Sequence, residues 1–485
     1  MAVSETNPPA GSGGSVGTAA WELLVPAAAA PARGRGRALR SALREAVRSG
    51  RLAAGTRLPA SRELAADLGV SRGLVTEAYE QLTAEGYLRS GRGAGTWVSD
   101  AVRAAAGPVR DLAPRPPGAR ADFRPGTPDP ALFPSAAWAA TYRSVLAGPV
   151  AGVLGYPDPR GLPALRAALA ALLARRRGVA ADPERLVVCS GVAQATTLLG
   201  FVLRGRGLRT VGTEDPGSPD HAALLASAGL GTVPLPLDAA GLAIGPLVRS
   251  GVRAVLTTPA HQFPSGIAYS ADRRGELLDW ARSVDGFVLE DDYDGEFRYD
   301  REPVGALQGL DPERVVYTGS VSKSLAPGLR LGWLLAPREL LDDIVERKRT
   351  MDLGNPSLDQ AVLADFVRSG GYDRQLRRCQ RAYRERRNAL VAALDRHFPG
   401  TEVSGIAAGL HIIARLPARY GPEPRFLRRA AEAGIALRPL TAHGTAGPRD
   451  GRVRLVLGYA HLTPARIARG VSLLADATAA TGPGG

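Results

Sequence analysis

Apolar residues recur every three or four positions in three stretches near the start of the chain. They predict amphipathic helices over residues 37–50, 62–68 and 72–85, and a serine that can cap the helix precedes each of the last two. The glycine-rich sequence at 86–98 predicts a two-stranded hairpin. Three helices and a hairpin, with a short glycine turn between the second and third helix, predict a winged helix-turn-helix.

A different pattern begins after residue 150, where short apolar runs alternate with longer stretches of helical periodicity. This alternation is typical of a mostly parallel sheet with helices on its faces. We therefore expect an α/β domain whose ligands lie beyond the carboxyl ends of the strands. The predicted strands lie at 186–188, 210–212, 254–257, 287–289, 315–317 and 331–335.

Composition gives the domain boundaries. Residues 1–18 are mainly Gly, Ser, Ala, Pro and Thr and are expected to be disordered. Residues 100–121 are rich in Ala, Pro, Arg and Gly without periodicity, which predicts a linker. The predicted domains are a helix-turn-helix domain at 19–99 and a second domain at 122–480, with a large part at about 150–345 and a small part at about 346–480.

Bulk composition limits the function classes. The formal net charge of +14 indicates a polyanionic partner, although a general preference for arginine would have the same effect. No long uncharged apolar run predicts a membrane span, and no secretory signal is recognisable at the N-terminus. Two cysteines, Cys189 and Cys379, cannot build a disulfide framework. We expect a cytoplasmic protein.

One lysine has an unusual setting. Among 61 basic residues only Lys323 and Lys348 are lysines, and Lys323 lies between two serines after a predicted strand. Arginine keeps its proton near neutral pH, whereas burial lowers the pKa of a lysine and frees its amine to form an imine. A solvated surface lysine is the alternative, and it is our interpretation of Lys348. Lys323 is therefore the candidate catalytic residue.

Other polar motifs also follow predicted strands. The turn at 190–194 enters a helix, so its amides can hold a phosphate. The segment 289–299 contains five carboxylates, for which a metal site is the rival interpretation. Neither histidines nor a repeated ligand spacing supports a metal there, and we predict none.

The residues around Lys323 resemble a known family. The run Ser-Val-Ser-Lys-Ser-Leu-Ala-Pro-Gly-Leu-Arg-Leu-Gly at 320–332 is similar to the cofactor-lysine motif of fold-type I pyridoxal-phosphate (PLP) enzymes, and within them to MocR/GabR-type regulators of the GntR family. The segments Leu-Pro-Ala-Ser-Arg at 58–62 and Leu-Gly-Val-Ser-Arg at 68–72 resemble the GntR DNA-binding domain. The resemblance covers nearly the whole chain. It implies a winged helix-turn-helix joined to an aminotransferase-like domain with a smaller C-terminal α+β subdomain.

This resemblance implies double-stranded DNA as a partner. The start of a recognition helix reaches base edges, where arginine can pair with guanine. A small interaction module with surface arginines is the alternative. The residues implied to face DNA are Arg62, Ser71, Arg72, Gly73 and Thr76, with Arg92 and Gly93 at the wing.

The same resemblance implies PLP, held through an imine to Lys323. Asp291 would pair with the protonated ring nitrogen, Tyr293 with the ring hydroxyl, and Gln262 would contact the ring. Tyr156 matches a tyrosine that reaches the phosphate of a neighbouring subunit, which implies a homodimer. The implied phosphate ligands are Ser320, Ser322 and Arg330, together with Gly191, Val192 and Ala193 of the turn at 190–194.

Two segments depart from the family pattern. Ser218 occupies the place of a cofactor-stacking tyrosine, and Asp220 stands where GabR-like members have an arginine. His221 either replaces the stacking ring or is a surface residue.

The second departure concerns the arginine that binds a substrate carboxylate. Common family members place it where Val456 stands, and Arg454 lies two residues earlier on the same face of a predicted strand. Arg454 is therefore the candidate effector ligand, with Arg438 and Arg452 as rivals.

Two functions follow from these expectations. The first is a PLP-dependent transcriptional regulator that senses PLP, an amine or an amino acid, with little or no turnover. The second is an active PLP-dependent aminotransferase with an appended DNA-binding domain. The helix-turn-helix favours the first. An iron- or zinc-responsive repressor would need ligands that the sequence lacks.

Overall fold

The computed structural model describes residues 30–91, 95–101, 119–299, 304–405, 408–444 and 450–479. The chain divides into two compact units, Met1–Pro116 and Pro117–Gly485. The expected disorder at 1–18 and most of the expected linker at 100–121 lie outside the described residues.

The first unit is a winged helix-turn-helix, as predicted. Its helices are α1 (Arg35–Arg48), α2 (Ser61–Leu68) and α3 (Arg72–Ala84). Its strands are β1 (Arg57–Leu58), β2 (Leu88–Gly91) and β3 (Gly95–Val98), which form an antiparallel sheet in the order β1-β3-β2. The apolar helix faces predicted from the spacing form one buried core. Strand β1 was not foreseen, because two residues are too short to show a period.

Both predicted serine caps were tested by the structure. Ser71 Oγ accepts a hydrogen bond from the Leu74 amide at 3.3 Å, so it caps α3 as predicted. The prediction for Ser61 was wrong, because Ser61 is already the first helical residue of α2. The amide of Ala60 instead donates to the Glu63 carboxylate at 3.2 Å.

The second unit is built around an eight-stranded sheet with the order β5-β12-β11-β10-β9-β6-β7-β8. Strands β5, β6, β7, β9, β10 and β11 run in one direction, and β8 and β12 run against them. The strands of this unit are β4 (Ala121–Asp122), β5 (Leu186–Cys189), β6 (Thr210–Asp215), β7 (Gly231–Asp238), β8 (Gly241–Leu242), β9 (Ala254–Thr257), β10 (Phe287–Asp291), β11 (Val315–Ser320), β12 (Gly332–Leu335), β13 (Glu402–Ser404), β14 (His411–Arg415), β15 (Ile435–Ala436) and β16 (Arg454–Gly458).

The central strands β9 and β10 of this sheet are buried on both faces, which explains why they appear in the sequence as continuous apolar runs. The mostly parallel α/β prediction is confirmed, as are all six predicted strand positions. The helices are α4 (Ser135–Ala147), α5 (Ala151–Leu154), α6 (Pro163–Arg177), α7 (Val192–Gly205), α8 (Pro219–Ser227), α9 (Ile244–Ser250), α10 (Ala271–Ser283), α11 (Arg338–Asp352), α12 (Ser357–Arg368), α13 (Gly371–His397), α14 (Glu423–Glu432) and α15 (Pro464–Thr478).

The smaller C-terminal part has an antiparallel sheet of order β13-β14-β16. Helices α13 and α15 share one buried apolar cluster with strands β14 and β16. Strand β4 pairs in parallel with β15, so the start of the unit joins its C-terminal part. No helix among the described residues is both long and apolar enough to cross a membrane.

Candidate functional site

A cavity of about 400 Å³ lies at the carboxyl ends of the parallel strands in the second unit. Loops that follow β5, β6, β9, β10 and β11 contribute its walls. This edge of an α/β sheet is where such folds bind ligands. Of the residues expected to hold a cofactor, those that line the cavity are Val192, Ala193, Asp291, Tyr293, Ser320, Ser322, Lys323 and Arg330.

Lys323 follows β11, and its amine donates a hydrogen bond to the carbonyl oxygen of Gly126 at 2.6 Å. Burial lowers the pKa of Lys323 below its ordinary value of 10.5, although Asp294, Asp291 and Asp220 counteract this shift. A lowered pKa increases the fraction of neutral amine, the form that attacks a carbonyl. Lys323 therefore has the environment of a nucleophilic lysine.

Asp291, the last residue of β10, is buried in the cavity wall. One of its oxygens, Oδ2, lies 3.0 Å from Nε2 of His221. The other, Oδ1, is buried without a hydrogen-bond partner among the described residues. An unpartnered buried carboxylate oxygen in a cavity is suited to accept a proton donor such as a protonated pyridine nitrogen. His221 is thus not a plain surface residue, because its ring contacts Asp291 and lines the cavity.

Tyr293 presents a protonated hydroxyl at the cavity. Burial, with the nearby Asp294, raises the pKa of Tyr293 well above its ordinary value. Its hydroxyl lies 3.1 Å from Nδ1 of His261, and the same nitrogen lies 2.9 Å from Oδ2 of Asp294. His261 does not line the cavity itself, so it holds the hydroxyl of Tyr293 from outside the cavity lining.

The opposite end of the cavity is suited to an anion. Helix α7 begins after Gly191 without a capping side chain, and the first amides of such a helix attract phosphate. Gly191 has a φ of 80°, and a Cβ there would lie 2.8 Å from Nη2 of Arg330. Arg330 also has a positive φ, 51°, which is uncommon for a non-glycine residue, and it donates to the carbonyl oxygen of Ser190. Ser320 and Ser322 also line the cavity.

The carboxylates of the acidic segment at 289–299 have protein partners. Asp292 is buried with Arg177 and accepts from its Nε at 2.7 Å. Glu290 accepts from the amides of Leu307 and Gln308. The carboxylates thus have separate partners, and no group of three or more His, Cys, Asp or Glu in the described part of the chain could hold a metal ion.

Two supporting residues were missed or misjudged from the sequence. Glu214 is buried at the end of β6 and accepts hydrogen bonds from Thr258, Gln262 and Tyr269, which ties two cavity loops together. Lys348 is fully buried rather than solvated, because its amine pairs with Asp352 at 2.7 Å.

Four expected ligands do not line the cavity, and one of them, Gly191, is the residue that precedes α7. Gln262 is fully buried, and its amide donates to Glu214 and to the carbonyl oxygens of Pro216 and Phe263. Tyr156 is 93% exposed. Arg454 pairs with Asp450 at 2.6 Å.

The position of Arg454 has a geometric cause. In the ladder between β14 and β16, Arg454 lies opposite Arg415, whereas Gly458 lies opposite His411, which does line the cavity. Arg454 is thus at the far end of its strand, roughly 13 Å away at the usual rise per residue. Of the three arginines considered for the effector carboxylate, Arg438 lines the cavity.

The helical residues expected to contact DNA lie near the starts of α2 and α3. Ser71, Arg72 and Gly73 are exposed at the N-terminus of α3, and Thr76 is half-buried one turn later. Arg62 is exposed in the first turn of α2. The expected wing residues, Arg92 and Gly93, lie outside the described residues.

Comparison with known proteins agrees with both units. Residues 36–98 match the family model "Bacterial regulatory proteins, gntR family", and residues 127–474 match "Aminotransferase class I and II". The probable rhizopine catabolism regulatory protein MocR of Rhizobium meliloti is 35% identical over 91% of this chain and 93% of its own. The chain belongs to the MocR-like GntR family of transcriptional regulators.

Other relatives agree with this assignment. The pyridoxine biosynthesis transcriptional regulator PdxR of Corynebacterium glutamicum is 33% identical to the regulator, over 76% of this chain and 81% of its own. The kynurenine aminotransferase of Pyrococcus horikoshii, solved in complex with PMP, has a TM-score of 0.66 at 27% identity, over 74% of this chain and 90% of its own. The regulator therefore combines a GntR DNA-binding domain with an aminotransferase-like domain of the PLP-using class.

Proposed function

We propose that this regulator holds PLP at Lys323 and changes its DNA binding according to what occupies the cavity, whether PLP alone or an added amine or amino acid. One observation carries the proposal. A cavity joins a half-buried lysine of lowered pKa, the unpartnered Oδ1 of Asp291 and the open N-terminus of α7. These groups fit the aldehyde, the ring nitrogen and the phosphate of PLP.

Each residue has a separate role in this proposal. Lys323 provides the amine for covalent attachment, Asp291 accepts a hydrogen bond from the ring nitrogen, and Tyr293 donates to the ring hydroxyl. Ser320, Ser322, Arg330 and the first amides of α7 hold the phosphate. When bound, PLP supplies an electron-withdrawing ring and an aldehyde that accepts amines.

Regulation requires that the ligand bind differently to two states of the protein, since equal affinity for both shifts no equilibrium. An amine that displaces Lys323 from the cofactor frees the lysine side chain. Such an amine also brings its own groups into the cavity. Both changes give the two states different contacts, so ligand binding can alter DNA affinity or DNA bending.

An active aminotransferase is the second candidate, because Lys323, Asp291 and five of the six residues expected at the phosphate line the cavity. A single experiment separates the two. DNA affinity and bending are measured with the cofactor-free chain, with PLP, and with PLP plus a panel of amines and amino acids, while keto-acid formation is followed. We expect DNA binding to respond and turnover to stay slow or absent. Steady keto-acid formation at ordinary aminotransferase rates, with indifferent DNA binding, would favour the enzyme.

We further infer a homodimer. Seven large apolar residues are exposed in the described part of the second unit, namely Leu146, Leu154, Tyr156, Val248, Leu310, Met351 and Leu353. The segment at Gly354 touches Pro157 and Asp158, so the Tyr156 and Leu353 segments are neighbours. An exposed apolar surface of this kind marks an interface. Sedimentation equilibrium should give twice the chain mass, and Tyr156→Glu should shift it towards the monomer; a native monomer would contradict the inference.

A further inference from the structure

Two opposite charges in the cavity have no role in holding PLP. The charged side chains that line it are Lys323, Arg330 and Arg438 on the positive side and Asp220 and Asp291 on the negative side. The proposed function uses Lys323 for attachment, Arg330 for the phosphate and Asp291 for the ring nitrogen. Arg438 and Asp220 remain.

Neither of these residues is engaged elsewhere. Among the described residues the side chains of Arg438 and Asp220 form no ion pair with any group, including each other, and both are exposed while they line the cavity. Arg438 is positioned by the backbone of β16, because its carbonyl oxygen accepts from the Val456 amide at 2.9 Å. Val456 is uncharged, although it stands where common family members have the carboxylate-binding arginine. Arg438, its backbone neighbour, is therefore the cation that this part of the chain contributes to the cavity.

A buried histidine lies near both charges. His443 is 5% exposed and lines the cavity, and neither of its ring nitrogens has a hydrogen-bond partner among the described residues. Burial, with the nearby Arg438, lowers the pKa of His443 to about 4, while Asp220 acts in the opposite direction. Its ring is thus neutral near pH 7 and leaves both charges uncompensated. An unpartnered buried ring beside two unpaired charges indicates a polar ligand.

Asp220 has a simpler possible role, since it lies in the first turn of α8, where a carboxylate stabilises the helix dipole. That role would not depend on the cavity. However, Asp220 also acts electrostatically on Lys323, so its carboxylate faces the site where an amine would react.

We propose that the effector is an α-amino acid with a second ammonium group on its side chain, whose carboxylate binds Arg438 and whose distal ammonium binds Asp220. This inference rests on the proposed function and specifies its ligand. A monoamino acid would satisfy Arg438 but leave Asp220 unpaired. A diamine without a carboxylate would pair with Asp220 but leave Arg438 unpaired.

The test uses the full chain loaded with PLP and calorimetric titration. The ligands are 2,3-diaminopropionate, 2,4-diaminobutyrate, ornithine and lysine, each compared with the monoamino acid that lacks its distal amine, and putrescine as a diamine without a carboxylate. We expect at least one diamino acid to bind about tenfold or more tightly than its partner, the effect of one charge-assisted hydrogen bond. If no diamino acid has such a preference, or none binds, the inference is wrong.

Variants of Asp220 and Arg438 test which group of the ligand each residue binds. Asp220→Asn should remove the preference for the distal amine, whereas Arg438→Gln should weaken diamino and monoamino acids alike and leave putrescine unchanged. The controls are Glu432→Gln and Arg209→Gln, at exposed residues outside the cavity. They should change neither the affinity for any of these ligands nor the preference for the distal amine. Equal melting temperatures show that each variant is folded. If Asp220→Asn lowers the melting temperature but keeps the preference, Asp220 serves only the helix.

The same preparations distinguish this inference from the proposed function. PLP retention and ligand-dependent DNA binding test the function and do not require Asp220. Loss of both would overturn the function, whereas intact PLP retention and DNA response without a diamino-acid preference would overturn only the identity of the effector.

Discussion

Replacement of Lys323 by alanine is expected to abolish covalent retention of PLP completely. The amine of Lys323 lies in the cavity with a lowered pKa, and no other lysine lines it. The native chain, incubated with PLP and dialysed, should have a visible absorption band, and borohydride should fix the cofactor mass on the peptide that contains Lys323. The variant should have neither. If it keeps the same band, the assignment of Lys323 is wrong.

The chain contains its own control for this experiment. Lys348 is the only other lysine, and its amine is fully buried in an ion pair with Asp352. Burial in this ion pair makes the amine of Lys348 inaccessible to a carbonyl compound. Peptide mapping of the reduced native protein should therefore show no cofactor on Lys348. Label divided between the two lysines would indicate non-specific modification rather than a site.

Arg72→Ala is expected to weaken specific DNA binding by about 1–3 kcal/mol, or roughly five- to 150-fold, if Arg72 pairs with a guanine. Arg72 is exposed as the first residue of α3, the position from which a recognition helix reaches base edges. The target is first selected by the native chain from random duplexes. Affinity is then measured at one fixed salt concentration, since phosphate contacts depend on salt.

The matched control is Arg48→Ala. Arg48 is exposed at the last residue of α1, away from the start of α3 in sequence, and its loss removes the same charge. We expect it to change specific and random DNA binding by similar small amounts. Arg72→Ala should reduce the ratio of specific to random affinity. An unchanged ratio would contradict the recognition-helix assignment.

Local sequence was sufficient for the architecture. Helical spacing gave the helices of the first unit, and continuous apolar runs gave six strands of the large sheet, because periodicity reports directly which faces are buried. The motifs after strand ends gave the cavity residues, since the carboxyl ends of parallel strands meet at one edge. The scarcity of lysine in the chain and the two serines beside Lys323 likewise predicted that this residue belongs to the site, and it lines the cavity.

Local sequence failed where a residue's role depends on a distant partner. The pairing of β4 with β15 joins two-residue strands that have no detectable period. Burial of Lys348 depends on Asp352 at the end of the same helix and on what packs over it. The contact of His221 with Asp291 joins a helix to a separate strand. Each of these requires the folded arrangement of separate elements.

The candidate effector arginine shows most clearly what the sequence predicted and what only the tertiary structure decided. The sequence by itself determined that an arginine stands near the end of the chain on the correct face of a strand, because side chains alternate with a period of two. Only the tertiary structure decided which arginine reaches the cavity. The register of β14 against β16 places Arg454 at the far end, and a backbone hydrogen bond from Val456 brings Arg438 alongside. Strand period is a local property, whereas register and neighbouring loops are set by packing across the whole unit.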